Sequence, residues 1–128
     1  MKKRILVADD ETAVVKILKD RFVHWGYEVE TASDGEKTLE KVKSFKPHLI
    51  LLDLKMPKIG GMDVLERTKK AHPQIGVLVL TASQSKDTHR NCLEKGADGY
   101  MLKPFKTKTI KEYIEKILKT RGEDNIYD

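Results

Sequence analysis

The chain has 128 residues, a length that suits one domain around a single hydrophobic core. Its single cysteine, Cys92, excludes an internal disulfide and favours a reducing compartment. The 25 lysine and arginine residues against 20 acidic ones leave a net charge of +5, which permits contact with nucleic acid without requiring it. No paired-cysteine motif or basic run with interleaved aromatic residues supports direct nucleic-acid binding.

The apolar stretches are too short for secretion or membrane insertion. The first run, residues 5–8, is shorter than the apolar part of a signal peptide. No later run approaches the roughly 20 residues that span a bilayer. We therefore expect a cytoplasmic protein without membrane contact.

Short apolar runs predict the β-strands. They cover residues 5–8, 49–52, 77–80 and the shorter 100–102. The first three do not alternate with polar residues, which is typical of parallel strands covered on both faces. Residues 27–31 alternate more and predict a further, less buried strand.

Helical periodicity fills the segments between these runs. The predicted helices cover residues 11–25, 34–45, 61–72, 86–95 and 107–120. The first is predicted to carry its apolar residues on one side, and these are Val14, Val15, Ile17, Leu18 and Phe22. Ser33 or Asp34 is the expected cap of the second helix, and Gly26, Gly96 and Gly122 suit helix C-termini.

The alternation of strand and helix predicts an α/β fold with a parallel sheet. We expect one domain over residues 1–122, followed by a polar, frayed tail over residues 123–128.

Polar residues end the predicted strands, where open α/β sheets carry their chemistry. The first run ends in Asp9 and Asp10, the run at 49–52 ends in Asp53, and Thr81 and Lys103 follow the last two. Three carboxylates, one hydroxyl and one ammonium are therefore expected to converge on one edge of the sheet.

The convergence predicts a site for a metal and a phosphoryl group. Crowded carboxylates repel one another, and a divalent cation would remove that conflict. Oxygen ligands favour a hard ion, and partial coordination with retained waters suits Mg²⁺ better than Ca²⁺. Between a cation and Lys103, Asp53 would act as a nucleophile toward a phosphoryl group, and the Thr81 hydroxyl would donate to a transferring oxygen.

This set of motifs resembles the receiver domain of two-component response regulators, chemotaxis regulators among them. The set comprises Asp9-Asp10, Asp53 followed by KMP and Gly60-Gly61, Thr81-Ala82, GADGY from Gly96 to Tyr100, and KPF from Lys103. It covers residues 4–121 in the right order. The resemblance implies a flavodoxin-like fold with five parallel strands in the order 2-1-3-4-5 and five helices over both faces.

The resemblance also implies ligands for Mg²⁺. Asp53 corresponds to the phosphoacceptor, and Asp10 and Asp53 correspond to direct Mg²⁺ ligands. The backbone carbonyl of Lys55 would be a third ligand, and Asp9 would bind the ion through water.

Further residues correspond to those that respond to phosphorylation. Lys103 would pair with the phosphoryl group or with Asp53, and the Thr81 hydroxyl and the backbone of Ala82 would contact the phosphoryl oxygens. Tyr100 corresponds to an aromatic residue whose ring moves inward with the hydroxyl. The Lys103–Pro104 peptide bond is expected to be cis.

The implied function is a signalling switch rather than an enzyme. A histidine kinase or phosphotransfer protein would phosphorylate Asp53, and the change would reach the face formed by the fourth helix, fifth strand and fifth helix. Partner-binding residues are therefore expected within 84–95 and 100–119. The output stays open between a separate protein, a further domain and a second copy of the chain that pairs on phosphorylation.

Other interpretations of the same residues are weaker. Asp9, Asp10 and Glu11 also suit the start of a helix, and Gly60-Gly61 suits a loop. A Mg²⁺-dependent phosphohydrolase with an aspartyl nucleophile would need a second acid where Lys55 stands. A flavodoxin-like cofactor binder would need a glycine-rich phosphate loop after the first strand. A receiver that works without phosphorylation would not need the complete set of motifs.

Overall fold

The computed structural model describes residues 2–121, in which five strands alternate with five helices. In chain order the elements are β1 (Arg4–Ala8), α1 (Thr12–His24), β2 (Glu28–Ala32), α2 (Gly35–Phe45), β3 (Leu49–Leu52), α3 (Gly61–Ala71), β4 (Gly76–Thr81), α4 (Lys86–Glu94), β5 (Gly99–Leu102) and α5 (Thr107–Arg121). The predicted cap at Gly122 and tail at 123–128 lie outside the described residues. No helix within residues 2–121 is long and apolar enough to cross a membrane.

All five strands are parallel and lie in the order β2-β1-β3-β4-β5, which confirms the predicted topology. Ala8 in β1 is level with Leu52 in β3, so the residues that follow these two strands lie side by side. Thr81 in β4 is level with Leu102 in β5. The register therefore brings the carboxyl ends of four strands to one edge of the sheet.

Hydrophobic side chains cover both faces of the sheet. One face packs against α1 and α5, and its buried residues include Ile5, Val7, Leu18, Phe22, Leu51, Leu78, Ile110 and Ile114. The other packs against α2, α3 and α4, and its buried residues include Leu6, Val42, Ile50, Val64, Leu65, Val77 and Cys92. Because both faces are buried, successive residues of a strand are all apolar and do not alternate with polar ones. Each fully buried side chain of this kind stabilises the fold by about 1.5–3 kcal/mol.

Ile17 departs from the predicted apolar side of α1. It is 56% exposed, whereas Leu18 and Phe22 are buried. At 3.6 residues per turn, Ile17 lies about 60° outside the arc that runs from Val14 to Val15. The prediction that Ile17 shares the core-facing side of the helix was wrong for this reason.

Asp98 connects β5 to the rest of the sheet. Its Oδ2 accepts a hydrogen bond of 2.8 Å from the N–H of Val77 and lies 2.8 Å from the ammonium of Lys69. Lys69 also donates to the carbonyl of Ile75 over 2.6 Å. This acid of the GADGY motif thus joins α3, β4 and β5 and has a structural role away from the strand ends that carry the candidate site.

Candidate functional site

The three acids predicted from the strand ends lie together. The N–H of Asp53 donates to the carbonyl of Ala8 over 2.9 Å, and the N–H of Asp9 donates to that of Ala32 over 3.1 Å. These bonds continue the strand ladders past β1 and β3 and hold both acids at the edge. Asp9, Asp10 and Asp53 each offer a carboxylate oxygen within 4.8 Å of the others. Asp9 and Asp53 are buried, whereas Asp10 is exposed.

The ammonium of Lys103 lies among these carboxylates. It donates to Asp9 Oδ2 over 2.9 Å, to Asp53 Oδ2 over 3.2 Å and to Glu11 Oε1 over 2.7 Å. Lys103 directly follows β5, and its backbone N–H donates to the carbonyl of Thr81 over 2.8 Å. The Lys103–Pro104 peptide bond is cis. One cation therefore contacts three carboxylates in this structure.

Glu11 belongs to the site, although the sequence suggested only a helix-start acid. It is the N-cap residue of α1, yet its side chain makes no capping hydrogen bond to the described residues and extends to Lys103 instead. Its backbone N–H donates to Asp9 Oδ1 over 2.9 Å, which turns the chain over the end of β1. Its position directly after Asp9 and Asp10 was the only sequence signal.

Burial raises the pKa of the Asp53 carboxyl group above its ordinary value. The charge of Asp9 raises this pKa further. The backbone N–H of Lys55, 3.2 Å from Asp53 Oδ1, and the ammonium of Lys103 both lower it. Lys55 itself is exposed. Asp53 therefore carries a charge that is only partly compensated by the protein.

The pKa of Lys103 is raised. Burial alone would lower it, but hydrogen bonds to Glu11 and Asp9 and the charges of Asp9 and Asp53 outweigh that effect. Lys103 consequently remains a cation throughout the physiological pH range, and its positive charge is held beside Asp53.

The donor set fits a hard divalent cation. The cluster of Asp9, Asp10 and Asp53 offers only carboxylate oxygens, which suit Mg²⁺ better than a metal that prefers nitrogen or sulfur. The exposed position of Asp10 leaves one side of the cluster in water, and Mg²⁺ usually retains several water ligands. The residues present are therefore suitable for Mg²⁺.

Ser83 links Thr81 and Tyr100, two of the residues predicted to respond to phosphorylation. Its N–H donates to the Oγ1 of the buried Thr81 over 3.3 Å, and its carbonyl accepts a 2.7 Å hydrogen bond from the hydroxyl of Tyr100. Ala82 lies between them and is exposed. Thr81 and Tyr100 thus contact the same residue from different strands.

His89 contacts Tyr100 from α4, and no sequence pattern indicated this contact. The two rings are stacked, with centroids 4.3 Å apart and planes inclined by 15°. The raised pKa of Tyr100 has burial as its main cause. Tyr100 is therefore held at its hydroxyl by the loop after β4 and at its ring by α4.

Comparisons with known proteins agree with this fold. Residues 5–115 match the family model of the response regulator receiver domain. The chain is 40% identical over 119 residues to the alkaline phosphatase synthesis transcriptional regulatory protein PhoP of Bacillus subtilis, an alignment that covers 93% of this chain and 50% of PhoP. It is 36% identical over 126 residues to the response regulator MprA of Mycobacterium ulcerans, covering 98% of this chain and 54% of MprA.

A solved structure shows the same architecture. The CheY-like response regulator receiver domain protein of Methanospirillum hungatei superposes with a TM-score of 0.93 and 31% identity, covering 98% of this chain and 100% of that one. The chain spans about half the length of the curated relatives it matches.

The chain belongs to the response regulator receiver domain family. Members of this family are phosphorylation-activated switches of two-component systems, and they act as signalling components rather than as classical enzymes. The resemblance inferred from the motifs is confirmed at this level.

Proposed function

We propose that Asp53 is the phosphoacceptor of this receiver domain. A carboxylate oxygen of Asp53 attacks the phosphorus of a phosphohistidine on a histidine kinase or phosphotransfer protein. A P–O bond forms, the P–N bond breaks, and the departing imidazole keeps the electron pair and is protonated. The observation that carries this proposal is the buried Asp53 carboxylate with the Lys103 ammonium 3.2 Å away and two further acids within 4.8 Å.

Charge compensation explains why the transfer is favourable at this position. Lys103 would neutralise a phosphoryl oxygen, as an ammonium does best where water is partly excluded. Asp10, Asp53 and the backbone carbonyl of Lys55 would hold Mg²⁺, with Asp9 acting through water, and the ion would supply positive charge to the phosphoryl oxygens. The presence of three acids within 4.8 Å supports this assignment.

The aspartyl phosphate would act as the signal by adding charge and acceptor oxygens. The Thr81 hydroxyl and the backbone N–H of Ala82 would donate to these oxygens. Because Ser83 contacts both Thr81 and Tyr100, a movement of Thr81 would be transmitted to the Tyr100 ring and to α4. Phosphorylation would thereby shift a pre-existing equilibrium between two arrangements.

The surface of α4, β5 and α5 would present the signal to a partner. Leu93 and Leu102 are exposed apolar residues on this surface, which lies within residues 84–95 and 100–119. We propose that a protein surface, and not nucleic acid, recognises it, in the cytoplasm. The partner surface would belong to another protein, to an output domain, or to a second copy of the receiver domain. We propose that the receiver domain of this chain covers residues 1–122 and that residues 123–128 form a tail.

The test is phosphorylation by acetyl phosphate with Mg²⁺, followed by intact mass measurement. We expect the wild type to gain one phosphoryl group, Asp53→Asn to gain none, and Asp63→Asn, which changes an exposed acid of α3, to behave as the wild type. No gain in the wild type, or an equal gain in Asp53→Asn, would contradict the proposal.

A further inference from the structure

We infer that Glu11 is a positioning residue that holds Lys103 in the unphosphorylated arrangement and releases it when Asp53 is phosphorylated. Glu11 would thereby slow the transfer of the phosphoryl group. This inference rests on the proposed role of Asp53 as phosphoacceptor.

The hydrogen bonds of Lys103 provide the first argument. A lysine ammonium has three N–H donors. In the structure these face Glu11 at 2.7 Å, Asp9 at 2.9 Å and Asp53 at 3.2 Å. A phosphoryl oxygen on Asp53 needs one of these donors, so at least one existing hydrogen bond must be broken or rearranged. The bond to Glu11 is the shortest of the three.

Exposure indicates which acid leaves. The side chain of Glu11 is 57% exposed, whereas those of Asp9 and Asp53 are 4% and 5% exposed. When a carboxylate loses its cation, water can solvate the charge of Glu11, but the buried charge of Asp9 would remain uncompensated. Glu11 is therefore the partner whose separation from Lys103 is least unfavourable.

The local geometry allows the Glu11 side chain to separate from Lys103. The hydrogen bond from its backbone N–H to Asp9 Oδ1 fixes the backbone of Glu11 beside the site at 2.9 Å. No capping hydrogen bond within residues 2–121 holds its side chain at α1. The side chain can consequently leave Lys103 without a change in the backbone.

The contact would stabilise the unphosphorylated state alone, and this predicts a kinetic asymmetry. Removal of the contact should accelerate phosphorylation by about 2- to 5-fold, the size expected of one exposed charge pair. The rate of phosphoryl loss should not change, because Glu11 no longer contacts Lys103 in the phosphorylated protein.

Three variants separate the contact from the charge. Glu11→Ala removes both, and Glu11→Asp keeps the charge but shortens the side chain by one methylene, so that it does not reach Lys103. Glu36→Ala is the matched control, since Glu36 is another exposed acid near the start of a helix and pairs with Lys58 instead.

We would measure the phosphorylation rate over a range of acetyl phosphate concentrations with Mg²⁺, and the rate of phosphoryl loss after the donor is removed. We expect faster phosphorylation for Glu11→Ala and Glu11→Asp, with wild-type rates for Glu36→Ala. The NMR signal of the Lys103 ammonium, measured without donor or Mg²⁺, should move in both Glu11 variants and stay in place in Glu36→Ala.

The possible results distinguish the inference from the proposed function. If Glu11→Ala is phosphorylated at the wild-type rate, the inference is overturned but the role of Asp53 is not. The same holds if Glu11→Ala is faster than the wild type while Glu11→Asp is phosphorylated at the wild-type rate. The inference is also overturned if the rate of phosphoryl loss in the Glu11 variants increases as much as their rate of phosphorylation. A wild-type protein that accepts no phosphoryl group overturns the role of Asp53 and the inference with it.

Discussion

A Cβ atom on Gly61 would lie 2.4 Å from the carbonyl oxygen of Asp53. It would also lie 2.5 Å from the Cα of Leu54, and both neighbours are backbone atoms that cannot rotate away. The first turn of α3 thus packs directly on the loop that carries the candidate phosphoacceptor. The glycine is required here for close approach.

We predict that Gly61→Ala destabilises the protein by about 1–3 kcal/mol, the range expected for overpacking. Gly60→Ala is the matched control, because a Cβ at Gly60 meets no atom within 4 Å and its φ of −65° is ordinary. Urea unfolding of both variants measures the effect. Equal midpoints for the two would contradict the packing argument.

Magnesium should stabilise the folded protein through the three acids. A ligand present at 100 times its dissociation constant adds about 2.7 kcal/mol to the free energy of unfolding. Asp10→Asn should lose this Mg²⁺-dependent increase while keeping near wild-type stability without the ion, because Asp10 is exposed.

The measurement is thermal or urea unfolding with and without Mg²⁺. Asp20→Asn, which changes another exposed acid near the start of the chain, is the control and should keep the full increase. A wild type that gains no stability from Mg²⁺, or an Asp10→Asn variant that gains as much, would argue against a metal site here.

The raised pKa of Asp53 predicts a pH-dependent difference between the wild type and Asp53→Asn. Because the folded state binds this proton more tightly than the unfolded state, the contribution of Asp53 becomes unfavourable as pH rises above its ordinary pKa of 3.8. Asp53→Asn removes that contribution and should be more stable than the wild type at about pH 7.

The advantage of Asp53→Asn should shrink as pH falls toward 3.8. Glu11, Asp34 and Glu66 have lowered pKa values and give the opposite pH dependence, but they are present in both proteins. Unfolding free energies in Mg²⁺-free buffer over this range test the prediction. A wild type that is the more stable protein at about pH 7 would show that burial of the Asp53 charge is fully compensated.

The two contacts of Tyr100 should depend on each other. Tyr100→Phe removes the hydrogen bond to Ser83, worth about 1 kcal/mol, and His89→Ala removes the stacking, worth about 0.5–1.5 kcal/mol. Because both contacts hold one ring, the double variant should be less destabilised than the sum of the two single variants. Strict additivity in urea unfolding would mean that the hydroxyl and the ring are held independently.

The strands could be predicted from the sequence because continuous apolar runs indicate burial on both faces of a sheet. Leu49–Leu52 was predicted with its observed bounds, since every residue of β3 is buried. The predicted strand at 27–31 is displaced by one residue from β2, because its start depends on the pairing of Glu28 with Arg4 in β1. The exposure of Ile17 likewise depends on where the sheet lies relative to α1.

The acids and Lys103 were predictable because each lies within two residues of the end of a strand, and parallel strands end at the same edge. Glu11 was missed as a partner of Lys103 because the contact depends on how far a long side chain reaches over the edge, between residues 92 positions apart. The stacking of His89 on Tyr100 depends on the placement of a helix against a strand. Periodicity reports which face is buried, but it does not report such individual contacts.

The separation of Asp9 and Lys103 by 94 positions has a consequence for biosynthesis. Asp9 is synthesised before Lys103, which follows β5, the strand at the outer margin of the sheet. A nascent chain that ends before Lys103 carries the acids of the site without the ammonium that compensates their charge. Under the proposed function, the domain would therefore become competent to receive a phosphoryl group only after nearly all of it has been translated.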